Sequence, residues 1–330
     1  MLVPSPYNVL FSAAGRRVSL LRHFRKTLAD LGLVGEVLAV DSGKTAPAAF
    51  VADRMLRVPL MSDPAYIDAM LAVCRENRVH LLFPLIDTDI GLLAQHRHRF
   101  AEIGTTVVVS SAATVDICFD KNRTYDFFRS HDIDTPVVYP PSALQDPQAL
   151  MFPLLIKPYD GSSGVGVTKI RDEGELRFFA HYVEHAMVQE FVRGQEYTVD
   201  VLVGPDGRVG CVVPRMRIEV RGGEVSKGLT VKSPTIITAA RRVVEQLPGA
   251  LGCITVQCFQ QPDGRIRFIE INPRFGGGFP LSLHAGADFP RWIIEQDLHR
   301  GPTQYRDDWI DDLAMLRYDD EIIVKGDRIR

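Results

Sequence analysis

Phe268-Ile269-Glu270-Ile271-Asn272-Pro273-Arg274-Phe275-Gly276-Gly277-Gly278 brings a carboxylate, an amide, an arginine and three glycines into one short stretch. Its first half reads as a strand, and a second strand begins near Cys253, with Gln261-Pro262-Asp263-Gly264 between the two. Asp-Gly favours a tight hairpin turn. With Asp263 and Gly264 as the turn residues, Pro262 opposes Arg265 and the pairing carries back until Gln257 sits opposite Glu270. The two-residue period of a strand puts Asn272 on the face of Glu270. That face then presents Gln257, Glu270 and Asn272, oxygen donors of the kind magnesium takes, with Arg274 just beyond. A wet sheet surface has the same composition, so the surrounding chain has to decide between the two readings.

Upstream, Leu154-Leu155-Ile156-Lys157-Pro158 is an apolar strand ending in a lysine, and Asp160-Gly161-Ser162-Ser163-Gly164-Val165-Gly166-Val167 follows it. Glycines let backbone N–H groups approach phosphate oxygens, while the lysine adds a point charge and the serines add hydroxyl donors. The lysine precedes the glycines, which excludes a P-loop on order and spacing. A plain hairpin turn is the alternative for this segment alone. Beyond Val188-Gln189-Glu190-Phe191-Val192 and Glu196, the stretch Tyr197 to Val203 alternates Tyr197, Val199, Val201 and Val203 against Thr198, Asp200 and Leu202, a strand with two distinct faces. Pro214 to Arg221 also alternates, placing Arg215, Arg217, Glu219 and Arg221 on one face before a Gly222-Gly223 turn. Such an arginine ladder grips carboxylate or phosphate bidentately, or else forms the wet side of an antiparallel sheet. Arg217 is a stronger candidate than Arg221.

The first third has another texture. Asn8 to Ser12 reads as a buried strand, Leu20, Phe24, Leu28 and Leu31 recur at helical spacing, and strands at Glu36 to Val40, His80 to Pro84 and Thr105 to Val109 alternate with a helix carrying Ile67, Met70, Leu71 and Cys74. This order predicts a parallel sheet covered on both faces. The first turn, Ser12-Ala13-Ala14-Gly15-Arg16-Arg17, lacks Gly-x-Gly-x-x-Gly, which disfavours a dinucleotide. Arg16 and Arg17 at a helix start either hold a substrate anion or line a solvated face. After a helix over Lys121 to Arg129, Pro136, Pro140, Pro141 and Pro147 mark a boundary near 115–140. The expected domains are 1–115, 116–190 and 191–330, and Arg317 to Val324 is expected to form a last strand.

With 38 basic against 41 acidic residues the chain has no long-range field to gather nucleic acid or an anionic membrane. No apolar run approaches the length of a membrane span, and neither a signal peptide nor a low-complexity tract is visible. Five cysteines without Cys-x-x-Cys spacing read as reduced packing residues, which fits a cytoplasmic setting.

Taken in order, the lysine strand, the glycine-rich loop and the Glu270 to Gly278 stretch resemble the ATP-grasp superfamily, in particular single-module relatives of the carbamoyl-phosphate synthase large subunit. The resemblance covers nearly the whole chain. It implies an α/β pre-ATP-grasp domain with a parallel sheet, followed by a two-lobed α+β fold that sandwiches ATP. It further implies that Lys121 and Lys157 contact the phosphates, that Gly161, Ser162, Ser163, Gly164, Val165 and Gly166 close over them, that Glu190, Phe191 and Val192 line the adenine pocket, and that Glu196 holds the ribose. Gln257, Glu270 and Asn272 match the family's magnesium ligands, with Gln257 where many relatives carry an acid. Arg274 matches the arginine that steadies the transferred phosphoryl group.

The implied activity is ATP-dependent joining of a small carboxylate to an amine, or to a thiol, through an acyl phosphate with release of ADP and phosphate. Arg274, Lys157 and Arg217 are its catalytic candidates, and Arg215, Arg217 and Arg274 its substrate contacts. ATP and Mg2+ are the cofactors; the partners are the small substrates and, as an oligomer, a homodimer. Bicarbonate as the acid is a second reading, which bicarbonate-dependent ADP release would favour. A non-catalytic nucleotide-binding module is a third, opposed by the joint presence of Lys157, Glu270, Asn272 and Arg274. Without a second ATP module, a glutaminase triad or a biotin-carrier segment, carbamoyl phosphate synthesis by this chain alone is not expected.

Overall fold

A computed structural model describes residues 6–145, 149–162, 164–299 and 301–329. The N-terminal region runs β1 (Asn8–Ser12), α1 (Val18–Asp30), β2 (Val37–Asp41), α2 (Pro47–Val51), β3 (Arg54–Arg57), α3 (Tyr66–Glu76), β4 (Val79–Pro84), α4 (Asp87–Glu102) and β5 (Thr106–Val107). Its five strands are parallel in the order β3-β2-β1-β4-β5, so the order reverses between β1 and β4. Loops at the carboxyl ends of those two strands, where such sheets bind ligands, carry Ala13 to Arg17 and Leu85 to Asp87. The residues of β1 are buried throughout, as a strand covered on both faces requires. The short strand β3 and the helix α4 escaped the sequence reading, and β5 is shorter than the expected 105–109.

Helices α5 (Ala112–Phe119) and α6 (Lys121–Ser130) follow. Sequence texture grouped most of this segment with the first lobe, yet Cys118, Phe127 and Phe128 join the core beneath the large antiparallel sheet. The small sheet has the order β6-β9-β7-β8, with β6 at Val138–Tyr139, β7 at Leu154–Pro158, β8 at Thr168–Ile170, helix α7 at Glu173–Tyr182 and β9 at Ala186–Glu190. The large sheet has the order β14-β13-β10-β11-β12-β15. Its parts are β10 (Gln195–Val203), β11 (Val209–Arg221), β12 (Glu224–Thr230), α8 (Pro234–Glu245), β13 (Gly252–Gln260), β14 (Ile266–Asn272), α9 (Pro280–His284), α10 (Phe289–His299) and β15 (Ala314–Leu316).

Tyr197, Val199, Val201 and Val203 pack with Ile236, Ala240, Val243 and Val244 of α8, so the apolar face of β10 is the covered one. Thr198 and Asp200 therefore look toward the other side, where the small sheet and the N-terminal region meet the large sheet. The last strand is not 317–324 as expected. It lies earlier, where Ala314–Leu316 pairs with β12, and 317–325 after it runs without regular structure up to a short 3-10 turn at Gly326–Arg328. Among the described residues no helix is long and apolar enough to cross a membrane.

Candidate active site

The hairpin of β13 and β14 places Gln257 opposite Glu270, as expected, but by a different route. The turn is one residue longer: Gln261 N donates to Arg265 O at 2.9 Å, and Gly264 takes the left-handed conformation at φ +87°. Pro262 therefore sits in the turn and does not face Arg265. A β-bulge between Gln257 and Cys258 restores the register, leaving Ile269 unpaired on β14. The bulge also puts two consecutive residues, Ile269 and Glu270, on the cleft, while Phe268 and Ile271 both enter the core behind it. Strict alternation would have forbidden that.

A cavity of ≈ 400 Å³ lies between this face and the small sheet. Its large-sheet wall carries Thr198, Arg215, Arg217, Thr255, Gln257, Glu270, Asn272 and Arg274, and Leu155, Lys157, Gly161, Ser162, Gly164 and Val165 approach from the other side. Lys121, at the first position of α6, donates to Gly161 O and so ties the helix to the glycine-rich loop. Lys157 is 7% exposed, and burial pushes its ammonium down to about 8, with nearby Lys121 acting in the same direction and Glu270 opposing. Burial raises the Glu196 carboxyl, and the Arg217 guanidinium at 3.2 Å works against the rise. Cations exceed carboxylates around this cavity: Arg17, Lys121, Lys157, Arg215, Arg217 and Arg274 face Glu196, Glu224 and Glu270. A polyanion such as a polyphosphate suits that balance.

Each arginine has its own restraint. Arg215, 1% exposed, gives a two-pronged contact to Asp200, Nε to Oδ2 at 2.7 Å and Nη2 to Oδ1 at 2.9 Å. Ser282 Oγ donates to the same carboxylate at 2.6 Å. This leaves Arg215 Nη1 buried without a partner, on a side chain that lines the cleft. Arg217 Nη1 donates to Gln257 Oε1 at 3.0 Å and to Thr198 Oγ1 at 3.2 Å. Arg274 reaches out of the large sheet to Asp87, at the start of α4, with bonds of 2.7 and 3.2 Å, and it also donates to Asn272 Oδ1 at 3.1 Å. The supposed ladder ends at Arg217, because bulges between Arg217 and Val220 break the alternation. Glu219 turns to Lys227 at 2.6 Å, Arg221 turns to Asp319, and Val220 lines the cleft in their place.

Four residues expected at the nucleotide, Glu190, Phe191, Val192 and Gly166, do not line this cavity. Gln189 is the β9 side chain on the cavity, so its neighbour Glu190 points to the opposite face and pairs with Arg267 at 2.7 Å. Phe191 lies under Lys169, and Val192 is buried. Gly166 backs onto Pro158, where a Cβ would stand 3.0 Å from the ring, and it does not line the cavity. Ser163 lies outside the described residues. For a magnesium ion the donor set is mixed. Glu270 and Asn272 offer hard oxygens side by side, with Asn272 Oδ1 also accepting from Arg274 at 3.1 Å, whereas Gln257 turns its oxygen to Arg217 and its amide nitrogen to Glu270. The residues thus fit a metal held mainly by Glu270 and Asn272, with Gln257 acting as a donor to Glu270.

Sequence reasoning missed Asp87, Asp200 and Glu224. Asp200 was visible only as a polar member of an alternating strand, and Asp87 as an acid after a parallel strand. Glu224 had no local signal: it accepts from Arg17 at 2.9 Å and from Arg317 at 3.1 Å across the cleft mouth. The glycine run explains itself here. A Cβ on Gly277 would stand 2.6 Å from Arg17 Nη1 and from Glu224, and one on Gly278 would collide with Val225 and Arg215.

Two family models match the chain: the PylC-like N-terminal domain over residues 9–108, and ATP-grasp in the biosynthetic pathway with Ter operon over residues 182–320. Formate-dependent phosphoribosylglycinamide formyltransferase of Rhodococcus jostii is 27% identical over 72% of the chain, and the chain spans 63% of that relative's length. D-alanine–D-alanine ligase of Pseudomonas entomophila is 33% identical over 69% of the chain and 78% of its own length. Among solved structures, the biotin carboxylase domain of Hydrogenobacter thermophilus 2-oxoglutarate carboxylase superposes with a TM-score of 0.73 at 16% identity, covering 94% of this chain and 74% of that one.

Proposed function

This chain belongs to the ATP-grasp superfamily, and we propose from that premise that it is an ADP-forming ligase joining a small carboxylate to an amine. The observation that carries the reading is the convergence of Lys121, Lys157 and Arg274 on Glu270 and Asn272 in one cleft between the two antiparallel sheets. In the reaction proposed, a carboxylate oxygen of the first substrate attacks the γ-phosphorus of ATP, the bond to the bridging oxygen breaks, and ADP leaves. The amine nitrogen of the second then attacks the acyl carbon, and phosphate departs as the nitrogen loses its proton. Lys157 and Lys121 would neutralise phosphate charge from the small-sheet side, and Gly161 to Val165 would cover it. Glu270 and Asn272 would hold the magnesium, which supplies further charge neutralisation when bound. Arg274, braced by Asp87, is placed for the transferred group, and Arg215 offers its unpartnered Nη1 to an anionic oxygen. Glu196, held by Arg217, fits the ribose.

Little covalent chemistry falls to the protein under this reading, since positioned charges and excluded water lower the barrier in phosphoryl transfer. The cytoplasmic setting belongs to the same proposal, and the five free cysteines, all buried, accord with it. The test is ADP release from ATP and magnesium across a panel of carboxylates, bicarbonate included, each paired with amines. Glu270→Gln keeps the volume and removes a charge, so release should fall by roughly a hundredfold, the size typical of losing a principal electrostatic group. Near-normal turnover of that variant at limiting magnesium would remove Glu270 from the metal site.

A further inference from the structure

The small sheet joins the rest of the molecule through two stretches of chain, 131–137 leading into β6 and 191–194 leading out of β9. Both run past the β13–β14 hairpin. On the entering side Phe268 N donates to Asp134 O at 2.8 Å, along the outer edge of the large sheet. On the leaving side a Cβ at Gly194 would stand 2.5 Å from Gln260 O, so the glycine lets the two backbones touch. The stretches also meet each other, since Glu190 N donates to Val137 O at 2.8 Å.

One buried side chain spans both. Arg267 of β14 is 6% exposed, and each of its nitrogens donates: Nε to Asp134 Oδ1 at 3.2 Å, Nη2 to Thr135 O at 2.7 Å and Nη1 to Glu190 Oε1 at 2.7 Å. The other Glu190 oxygen accepts from Val137 N at 3.4 Å. A planar guanidinium suits this three-way grip, whereas a lysine would offer a single nitrogen. Arg267 does not line the cleft, although it shares β14 with Glu270. Its leverage lies in the topology. Leu154 is opposite Glu190 and Pro158 is opposite Ala186, so the grip and the glycine-rich loop sit at opposite ends of the β7–β9 pair. Four strand steps span about 14 Å, so a rotation of about 10° at the Arg267 end carries the loop end by about 2.4 Å. Lys157 lies on β7 between the two ends and moves with them.

Resting on the ligase reading, we infer that Arg267 is a positioning residue for phosphoryl transfer. It pins both connections of the small sheet to β14 and so sets where Lys157 and the glycine-rich loop come to rest over Glu270 and Asn272. The strand that carries the metal-site residues thereby also fixes the orientation of the sheet that covers them.

The test is a distance measurement on the full chain by pulsed electron resonance. Nitroxides go on His181→Cys of α7 and Thr238→Cys of α8, both exposed, while the five native cysteines are buried. Magnesium with a non-hydrolysable ATP analogue should narrow the parent's distance distribution. Arg267→Met should leave it about twice as wide, as a loosened hinge requires. Glu190→Gln cuts one prong of the grip at a half-exposed carboxylate and should broaden it as well, which keeps the test open if Arg267→Met folds poorly. Glu184→Gln, an exposed carboxylate outside the grip, should match the parent. With any acid and amine that release ADP, Arg267→Met should lower kcat by about a hundredfold, a loss that ~1 Å of misplacement can cause, and leave the acid's KM nearly unchanged. No narrowing in the parent, parent-like distances in Glu190→Gln, equal broadening in Glu184→Gln, or equal changes in kcat and the acid's KM would overturn the inference. The distances need no turnover, so this failure is distinct from failure of the ligase reading, which appears as no ADP release with any acid and amine.

Discussion

Asp200→Asn tests how the cleft is built. The Asp200 carboxylate is fully buried and accepts two hydrogen bonds from Arg215, one from Ser282 and a longer one from Thr255 at 3.4 Å. Asparagine keeps the shape and loses the charge, so the buried Arg215 guanidinium faces one carbonyl oxygen and an NH2 group that cannot accept. Breaking a buried pair by removing one partner costs about 3–5 kcal/mol, chiefly because the surviving charge stays desolvated. The loss should appear as a lower urea midpoint with an unchanged slope, followed by circular dichroism. Asp200→Asn combined with Arg215→Met removes the stranded charge and should regain about 2 kcal/mol or more relative to the sum of the single effects, a coupling expected of groups in direct contact. A cost below about 1 kcal/mol for Asp200→Asn, or strict additivity in the double variant, would show that the pair does not hold Arg215 in place, and the argument for its free Nη1 in the cleft would fall with it.

Two further expectations follow from buried ionisable groups. Burial lifts the Asp89 carboxyl from 3.8 to about 6, although Ser12 and Tyr66 hydroxyls donate to it; the folded state then holds the proton more tightly than the unfolded one, so this group's contribution is most favourable below about pH 4 and about 3 kcal/mol is lost as pH rises to 6. Urea midpoints against pH, compared with Asp89→Asn, should show that slope in the parent alone, and parallel curves would refute it. Lys157, pushed down from 10.5 to about 8, carries the reverse case: its buried charge costs about 3 kcal/mol below pH 8, and the cost fades as pH rises toward 10.5. Lys157→Met should therefore be more stable than the parent at pH 7 while losing ATP affinity in titration, and a destabilised variant that still binds ATP would contradict both halves.

The parallel sheet, the lysine strand, the alternating faces of β10 and the face shared by Gln257, Glu270 and Asn272 were legible in the sequence, because each depends on a period of two or 3.6 over neighbouring residues. Where a local irregularity intervened, pattern alone failed. The longer turn at Pro262 and the compensating bulge cancelled at Glu270, but the bulges after Arg217 did not cancel, and Glu219 and Arg221 left the face assigned to them. Bulges are set by what each face must bury, which no short window records. The partners of the site arginines were equally out of reach. Asp87 lies 187 positions from Arg274, and Glu224 lies 207 from Arg17. The sequence alone determined the longer strands of the site and the chemistry they carry, since those follow from local periodicity and residue type, whereas short β3 and the place of the last strand did not. Only the tertiary structure decided which charges neutralise one another and which remain free to meet a ligand, because pairing depends on distances that folding closes between segments far apart in the chain.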